Sequence, residues 1–407
     1  MPGVPSQASH RLQLLEGSRE FFPALIAAMD AAEHEIRLET YIFDPTAGGM
    51  DVLLALERAA GRGVDTMVLV DGVGSRPLAL PWLSRLDAAG VQWCVYAPLG
   101  TLGMLRPTHW RRLHRKLVCI DRRVAFCGGI NILDDFHDPN HGQLEHPRFD
   151  FSVRITGGLV ADVHAAMQQL WLRVNRGLDI KSGKLKLALS AVVDASRDAG
   201  QLLRHVVAAP QPPEHASKAL LVLRDNFRHR SGIEKDYRRA IGHAQREIII
   251  ANAYFVPGRQ LRMALIHAAR RGIKVRLLLQ GRYEYFMQYY AARPVYGALL
   301  KAGVEIHEYS PSFLHAKVAV IDGRWATVGS SNLDPLSLLL AREANVSAHG
   351  TAFAAALRER LMHAIAHEGE EMDPQEYAAR PLRHRLMEYV ALFLMRIALL
   401  FQGRKYL

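Results

Sequence analysis

The chain has 407 residues, of which 49% are hydrophobic and 22% are charged, so it is long enough for two domains and too apolar to be disordered. Its 51 Lys and Arg residues outnumber its 40 Asp and Glu residues, which gives a formal net charge of +11. This charge favours a polyanionic partner, but it does not distinguish nucleic acid from an anionic membrane surface.

The N-terminus and the cysteines bear on the compartment. The first residues lack a basic region followed by an apolar run and a small-residue cleavage site, which predicts that no secretory signal is present. Cys94, Cys119 and Cys127 lack the spacing of metal ligands, and two of them stand in apolar runs. We therefore expect buried, reduced thiols and a reducing compartment.

The second half of the chain repeats the first half, segment by segment and in the same order. EIRLETYIF, LERAAGRGVDTMVLVDG and LDAAGVQWCVYAP follow one another in the first half, and EIIIANAYFV, IHAARRGIKVRLLLQG and LLKAGVEIHEYSP do so in the second. The matched pairs are residues 35–43 and 247–256, 56–72 and 266–281, and 86–98 and 299–311. The repetition predicts two copies of one architecture.

Helix and strand patterns alternate within each copy. An Ala- and Leu-rich amphipathic stretch ends at Gly63 or Gly272, and a compact apolar segment follows at residues 66–70 or 275–279. Helices that alternate with buried strands predict an α/β fold in which helices cover the sheets. Residues 175–217, between the copies, are polar, partly Lys-rich and Pro-containing, which indicates an insertion between two lobes.

Each copy contains the pattern His-x-Lys-x4-Asp. The six motif residues are His114, Lys116 and Asp121 in the first copy and His315, Lys317 and Asp322 in the second. Alternation along a strand places the His and the Lys on one face, so that one strand presents both groups to a phosphate. A single copy is weak evidence, because many polar strand edges contain it. Two matched copies inside a whole-chain repeat are specific.

Small and amide side chains follow both motifs at the same offset. They are Gly129 and Asn131 in the first copy and Ser330 and Asn332 in the second. Such residues suit close backbone approach and hydrogen bonds to phosphoryl oxygens. Asn131, Ser330 and Asn332 are therefore the candidate phosphate-binding residues.

A carboxylate stands farther on in each copy, Asp150 in RFDFSVRI and Glu343 in REANVSA. Each lies ahead of another predicted strand. A carboxylate in that place is able to fix a histidine tautomer by binding one ring nitrogen. Asp150 and Glu343 are therefore the candidate histidine-orienting residues.

The duplicated motif resembles that of the phospholipase D superfamily, and the similarity extends from residue 11 to about residue 370. VLVDGVGS, HWRRLHRK and DGRWATVGSSNLDPLSLLLAREAN are most similar to segments of bacterial cardiolipin synthases, in the short form without N-terminal membrane spans. The resemblance implies two homologous lobes, each a mixed β-sheet flanked by helices, related by pseudo-two-fold symmetry. We expect lobes at residues 1–174 and 218–374, the insertion at 175–217, and a basic, apolar, membrane-associating segment at 375–407.

The resemblance also implies a reaction. One histidine attacks phosphorus and the other protonates the departing alkoxide; the second then deprotonates the incoming hydroxyl, which displaces the phosphohistidine. We place the nucleophile at His114, because the family usually has it in the N-terminal half. For a cardiolipin synthase, phosphatidylglycerol donates the phosphatidyl group, glycerol leaves, and a second phosphatidylglycerol attacks. Charge on the equatorial oxygens is stabilised by Lys116, Lys317, Asn131 and Asn332.

No metal or other cofactor is expected, because the lysines supply the positive charge. Asp121 and Asp322 belong to the catalytic motif. They nevertheless follow their strands at some distance, which favours structural contacts with nearby Lys, Arg or backbone groups. Gly129 stands where the second copy has Ser330, so the two half-sites are expected to play unequal parts.

Two segments favour a lipid partner. Residues 100–116 interleave apolar side chains with arginines, which suits a loop at a bilayer interface, although a basic rim would serve nucleic acid equally well. Residues 389–401 are strongly apolar but shorter than the roughly 20 residues of a membrane-spanning helix. We expect an interfacial helix there, with packing on the protein or on a partner subunit as the alternative.

The expected partners are phosphatidylglycerol and an anionic membrane surface, on the cytoplasmic face of a bacterial inner membrane, and not nucleic acid. A phospholipase D-type hydrolase or nuclease is the alternative, since it would use the same chemistry and fit the basic charge. A non-catalytic binder of anionic surfaces is a third possibility. The intact His, Lys and Asn residues of both copies argue against it.

Overall fold

The structure is a computed structural model that describes residues 10–98, 111–138, 141–181, 218–225, 231–282, 286–334 and 341–400. Most of the predicted insertion at residues 175–217 lies outside these ranges. The greater part of the predicted interfacial loop, residues 100–110, and the last residues of the predicted membrane-associating segment, 401–407, also lie outside them.

The first lobe alternates strands and helices. Its elements are β1 (His10–Glu16), α1 (Gly17–Asp30), β2 (Glu35–Thr40), α2 (Gly48–Gly61), β3 (Asp65–Asp71), α3 (Leu80–Ala89), β4 (Gln92–Tyr96), β5 (Arg112–Leu113), β6 (Lys116–Ile120), β7 (Val124–Gly128), β8 (His137–Asp138), β9 (Gly142–Gln143), β10 (Phe151–Gly157) and α4 (Leu159–Lys181). The sheet order is β1-β10-β7-β6-β2-β3-β4. Because β2, β3 and β4 are parallel and the other pairs are antiparallel, the sheet is mixed.

The second lobe repeats this plan. Its elements are β11 (Lys218–Arg224), α5 (Gly232–His243), β12 (Glu247–Asn252), α6 (Arg259–Arg270), β13 (Lys274–Gln280), α7 (Phe286–Leu300), β14 (Glu305–Tyr309), β15 (Lys317–Ile321), β16 (Trp325–Gly329), β17 (Ala341–His349), α8 (Thr351–His367), β18 (Gly369–Glu371), α9 (Pro374–Ala378) and α10 (Leu382–Leu400). The order β11-β17-β16-β15-β12-β13-β14 matches the first sheet strand for strand, and β18 extends it. The predicted duplication and α/β class are confirmed.

The parallel strands are buried strands that alternate with helices, as the sequence pattern indicated. Burial extends over every residue of β2 and over most of β3, so both faces of the sheet are covered, although the β2 face that carries Glu35, Arg37 and Glu39 is polar. Parallel neighbours need a crossover connection, which α2 and α6 provide. Gly63 and Gly272 follow these helices with φ of +88° and +85°, a conformation that glycine adopts without strain and that ends a helix.

The two sheets share a core. One cluster of buried side chains joins Cys127 and Phe151 of the first sheet to Val328 and Val346 of the second, together with side chains from α4 and α8. Separate clusters lie between the first sheet and α1 and α2, and between the second sheet and α5, α6 and α7. The lobes are therefore packed against each other through a continuous apolar interface.

The end of α4, the cysteines and the apolarity of the helices each bear on a prediction made from the sequence. The helix α4 passes through the boundary predicted at residue 174 and ends at Lys181, because Leu170 and Val174 still pack in an apolar cluster with Leu113. The three cysteines are free and buried. Within the part of the chain that the structure describes, no helix combines the length and apolarity needed to cross a membrane.

Candidate active site

Two short backbone contacts join the lobes where the motif strands begin. The strand β5 pairs in parallel with β17, and the His114 backbone N–H donates to the Arg342 carbonyl at 3.1 Å. At the matched place in the other lobe, Leu314 pairs in parallel with Phe149, and the His315 N–H donates to the Phe149 carbonyl at 2.9 Å. Each histidine is thereby placed beside the carboxylate that follows in the opposite lobe.

The histidine–carboxylate pairs consequently cross between the lobes. The Nδ1 atom of His114 lies 3.0 Å from Glu343 Oε1, and Nδ1 of His315 lies 2.6 Å from Asp150 Oδ2. Both carboxylates are buried, whereas 16% of the His114 side chain and 23% of the His315 side chain are exposed. A carboxylate at Nδ1 fixes the ring and leaves Nε2 for the substrate.

Two residues that the sequence analysis did not single out hold the segments before the histidines. Asp71, at the end of β3, accepts a hydrogen bond from Leu113 N at 2.7 Å and one from Arg112 Nη1 at 3.1 Å. Gln280, at the matched end of β13, accepts one from Leu314 N at 3.0 Å through Oε1. Their matched places in VLVDG and LLLQG were the available signal.

The motif lysines bind the backbone of their own histidines, and both asparagines are buried. Lys116 Nζ donates to the His114 carbonyl at 2.7 Å, and Lys317 makes the same bond to His315. Both lysines are buried. Asn131 Oδ1 accepts from the Ile42 N–H at 3.1 Å. Asn332 is also buried, and its Oδ1 makes no hydrogen bond with the described residues.

Burial sets the electrostatics of the site. It lowers the pKa of His114 and, with help from the two lysines, holds that of His315 well below its usual value. It also lowers the pKa of Lys116 to about 7 and raises that of Asp150 to about 7. Burial opposes ionisation of Glu343 as well, but its interactions with His114, the charge of Lys116 and the hydrogen bond from Ser330 keep the pKa of that carboxyl below its usual value. Burial therefore favours the neutral form of both rings.

The half-sites differ behind their carboxylates. Ser330 Oγ donates to Glu343 Oε2 at 2.5 Å, and its oxygen accepts from the Ala344 N–H at 3.1 Å. At the matched place, a Cβ on Gly129 would lie 2.6 Å from Asp150 Oδ2 and closer still to Oδ1. Only glycine leaves room for the Asp150 carboxylate. Ser330, a predicted phosphate-binding residue, thus contacts the carboxylate that lies beside His114.

The structure does not bring Asp121 and Asp322 to the histidines, and the contacts of both carboxylates favour a structural role. Asp121 accepts hydrogen bonds from the backbone N–H groups of residues 33–35, at the start of β2. Asp322 does the same for residues 245–247, before and at the start of β12. Both residues stand at the end of the motif strand away from the histidine. Their contacts are with backbone, as the sequence had favoured.

No group of three or more His, Cys, Asp or Glu side chains with the arrangement of a metal site occurs among the described residues. The groups assembled around the two histidines are cations, amides and paired carboxylates. Such a set is suited to binding a phosphodiester and transferring it through an imidazole.

Comparison with known proteins places this geometry in a family. A family model described as "Cardiolipin synthase, PLD-like domain" matches residues 25–142 and 237–365. Cardiolipin synthase B of Shigella flexneri is 39% identical over 364 residues, covering 89% of this chain and 82% of that protein. Cardiolipin synthase B of Escherichia coli strain K12 is 38% identical over the same shares.

The fold is also similar to a solved structure. The crystal structure of phosphatidylserine synthase from Haemophilus influenzae Rd KW20 matches with a TM-score of 0.65 and 14% identity, over 98% of this chain and 94% of that one. The comparisons confirm the resemblance to the phospholipase D superfamily and the predicted class of enzyme, a phosphatidyltransferase. On the evidence of the family model and of relatives that match most of its length, the chain belongs to the cardiolipin synthase family of phospholipase D-like proteins.

Proposed function

We propose that the chain transfers the phosphatidyl group of one phosphatidylglycerol to a second phosphatidylglycerol, giving cardiolipin and glycerol through a phosphohistidine. The observation that carries the proposal is the pair of crossed contacts, His114 with Glu343 and His315 with Asp150. Two imidazoles, each oriented by a buried carboxylate, supply the nucleophile and the acid–base group that a double displacement requires. The cardiolipin synthase relatives supply the choice of lipid.

His114 is the proposed nucleophile. Glu343 stays ionised, since the pKa of that carboxyl is held below its usual value despite burial. It accepts a hydrogen bond from the Nδ1–H of His114 and leaves the lone pair of Nε2 free to attack phosphorus. The new N–P bond forms as the P–O bond to glycerol breaks.

His315 is the proposed acid and base. Because burial raises the pKa of Asp150 to about 7, this carboxyl is able to hold a proton against His315 Nδ1 while the neutral ring carries its own proton on Nε2. The Nε2 proton passes to the departing glycerol oxygen as Nδ1 takes the proton of Asp150. In the second step both transfers reverse: Nε2 takes the proton of the incoming hydroxyl, whose oxygen displaces His114 from phosphorus.

The lysines and asparagines bind the phosphodiester. Lys116 and Lys317 are buried beside the histidines, so their charge acts in a medium that screens it weakly. The Nδ2 groups of Asn131 and Asn332 donate to the equatorial oxygens. These contacts strengthen as negative charge develops in the transition state.

The helix α10 is the proposed membrane contact, at the periphery of an anionic membrane and on its cytoplasmic face. Its outer side carries exposed apolar side chains at helical spacing, with exposed fractions of 79% for Leu382, 66% for Leu386, 58% for Tyr389 and 61% for Phe393. Ala391, on the inner side, is buried against the second lobe. Arg383 and Arg385 are exposed on the same helix, as a surface that meets anionic headgroups requires. The free, buried thiols suit a reducing compartment.

The reaction is tested with purified protein and phosphatidylglycerol vesicles, without added metal, by following cardiolipin, glycerol and phosphatidic acid by mass spectrometry. We expect cardiolipin and glycerol in equal amounts, and neither product from His114→Ala or His315→Ala. His243→Ala is the matched control, because His243 is exposed on α5 and its ring bonds to the Arg239 carbonyl of its own helix. Phosphatidic acid alone would indicate a hydrolase, and no lipid turnover would direct the search to nucleic acid.

The membrane contact is tested by sedimentation with vesicles of phosphatidylglycerol or of a zwitterionic lipid. Leu386→Asp with Phe393→Asp is expected to abolish binding to the anionic vesicles. Leu220→Asp is the control, since Leu220 is 60% exposed but lies on β11. Unchanged binding of the double variant would remove α10 from the contact.

A further inference from the structure

Tyr41 contacts the histidine and the lysine of the motif in the first lobe. The ring centroid of Tyr41 lies 4.9 Å from that of His114, with the ring planes at 57°. The ring also lies under a cation, since Lys116 Nζ is 5.5 Å from its centroid. This distance is within the range in which an ammonium is attracted to an aromatic face. One side chain therefore contacts the proposed nucleophile and a phosphate-binding lysine.

The ring has little freedom to move. A Cβ on Gly74 would lie 2.7 Å from two ring carbons of Tyr41, so the Gly74 backbone closes one side of the ring. The Tyr41 carbonyl accepts a hydrogen bond from Ser75 Oγ at 2.9 Å, and Ser75 also binds the Phe43 N–H. The loop after β3 thus fixes Tyr41 against His114. A ring held in this way restricts the imidazole more than a mobile one would.

The second lobe has no ring at this position. The pairing of β2 with β6 and of β12 with β15 places Phe43 and Phe255 at matched positions, and each bridges to the segment after the lobe's asparagine. Two residues earlier, Tyr41 corresponds to Ala253. The matched backbone position beside His315 therefore carries a methyl group, and the half-sites differ in their walls as well as in their carboxylates.

We propose that Tyr41 is a positioning residue that holds the His114 ring and the Lys116 ammonium and fills the space in which water would reach phosphohistidine 114. The proposal rests on the function proposed above and adds a determinant of acceptor choice. The intermediate has two fates. In each, the N–P bond breaks and His315 takes the acceptor's proton, but a lipid hydroxyl forms cardiolipin and water forms phosphatidic acid. Excluding water favours the first fate.

The test compares Tyr41→Leu and Tyr41→Phe for total turnover, for the ratio of phosphatidic acid to cardiolipin, and for the pH dependence of kcat/KM. Tyr41→Leu removes the ring, so we expect the ratio to rise and kcat/KM to fall by about fivefold, the change that loss of one cation–π contact corresponds to. The alkaline limb is expected to move down by about half a pH unit, because the ring favours the charged lysine. Tyr41→Phe keeps the ring and is expected to restore all three values.

Trp82→Leu is the matched control. The Trp82 ring also lies against a cation in the first lobe, 5.3 Å from the Arg85 guanidinium, but both of these residues are on α3. A wild-type protein that makes no cardiolipin would overturn the proposed function. A wild-type protein that makes cardiolipin, with a Tyr41→Leu variant that is folded and unchanged in product ratio and pH limb, would overturn the role of Tyr41 alone. Equal loss in Tyr41→Phe and Tyr41→Leu would also contradict it, since the ring would then not be the active part.

Discussion

The Oδ2 atom of Asp150 lies 2.6 Å from Nδ1 of His315, 165 positions farther along the chain and in the other lobe. In the matched pair the carboxylate, Glu343, is in the second lobe and the histidine, His114, is in the first. The active site is therefore divided between the lobes by its carboxylates, and each of the two carboxylates is expected to govern the histidine of the opposite lobe.

Replacing Glu343 tests this crossing. The Glu343 carboxylate raises the pKa of His114 against the larger effect of burial. Glu343→Gln is therefore expected to lower the pKa of His114, leave that of His315 nearly unchanged, and reduce kcat by about 10-fold to 100-fold. The ring titrations are followed by NMR with labelled histidine. A shift confined to His315 would contradict the crossed pairing, and Asp150→Asn, which should perturb His315 alone, completes the comparison.

The residues behind the carboxylates give a second prediction. An added methyl at Gly129 would overlap the Asp150 carboxylate and displace it from His315, so Gly129→Ala is expected to remove nearly all activity. Ser330→Ala loses only the hydroxyl that donates to Glu343, so about a tenfold loss is expected, as for one hydrogen bond to a charged group. Steady-state rates measure the difference, after circular dichroism has shown both variants to be folded. Equal losses would mean that the half-sites tolerate change equally.

The charge of Lys116 contributes to the expected pH dependence. Burial lowers the pKa of Lys116 to about 7, so the free enzyme has the charged form below that pH and loses it above. Binding of an anionic lipid needs the charge, and kcat/KM is therefore expected to fall as pH rises through about 7. Lys116→Arg keeps its charge throughout this range, so the part of the fall that the lysine causes should disappear and the part that loss of the Asp150 proton causes should remain, even though the rate is lower. An unchanged alkaline limb in this variant would assign it to another group.

Asp121 and Asp322 are expected to affect stability without affecting the reaction. The backbone N–H groups bound to Asp322 lower its pKa in spite of burial, so its contribution to stability is present above about pH 4 and is lost as pH falls through the lower value of the folded state. Asp322→Ala should lose about 1 to 3 kcal/mol at pH 7, and the difference from wild type should shrink at acid pH. Thermal unfolding at several pH values measures it. Abolished turnover in the folded variant would return Asp322 to the catalytic set.

A buried ion pair distinguishes the two lobes and gives a fifth prediction. Glu39 Oε1 accepts from Arg115 Nη2 at 2.9 Å under the first motif, whereas the matched positions in the second lobe are Ala251 and Ala316. Glu39→Leu leaves a buried guanidinium without its carboxylate and should cost about 3 kcal/mol. Glu39→Leu with Arg115→Met should cost less than the sum of the single changes. Denaturant unfolding completes the double-mutant cycle, and additive costs would contradict the coupling.

The fold was largely predictable from the sequence because the same pattern of helices and strands occurs in both halves of the chain. In each copy a helical pattern ends at a glycine, Gly63 or Gly272, and an apolar strand pattern follows it. These patterns predicted α2 with β3 and α6 with β13, and each copy supported the other. The antiparallel strands after the motifs were less marked, since β8 and β9 are only two residues long. Short elements of that kind have no period to detect.

The site was predictable in its members but not in its contacts. Asp150 and Glu343 were found by their place after the motifs, yet either carboxylate fits either histidine in the sequence. The choice is made by β5, a two-residue strand that pairs across the lobes and carries no pattern of its own. Asp121 was grouped with His114 because a motif joins functional and structural residues alike. Tyr41 was missed because its partners come from a distant strand.

The parallel contacts of His114 with Arg342 and of His315 with Phe149 have a consequence for the origin of the molecule. Two identical single lobes related by a two-fold axis would make the same two contacts, with each subunit lending its carboxylate to the other. In such a dimer, every substitution must suit both half-sites at once. When the two copies are joined in one chain, each half-site is able to change by itself. Gly129 in place of Ser330 and Tyr41 in place of Ala253 are differences of this kind.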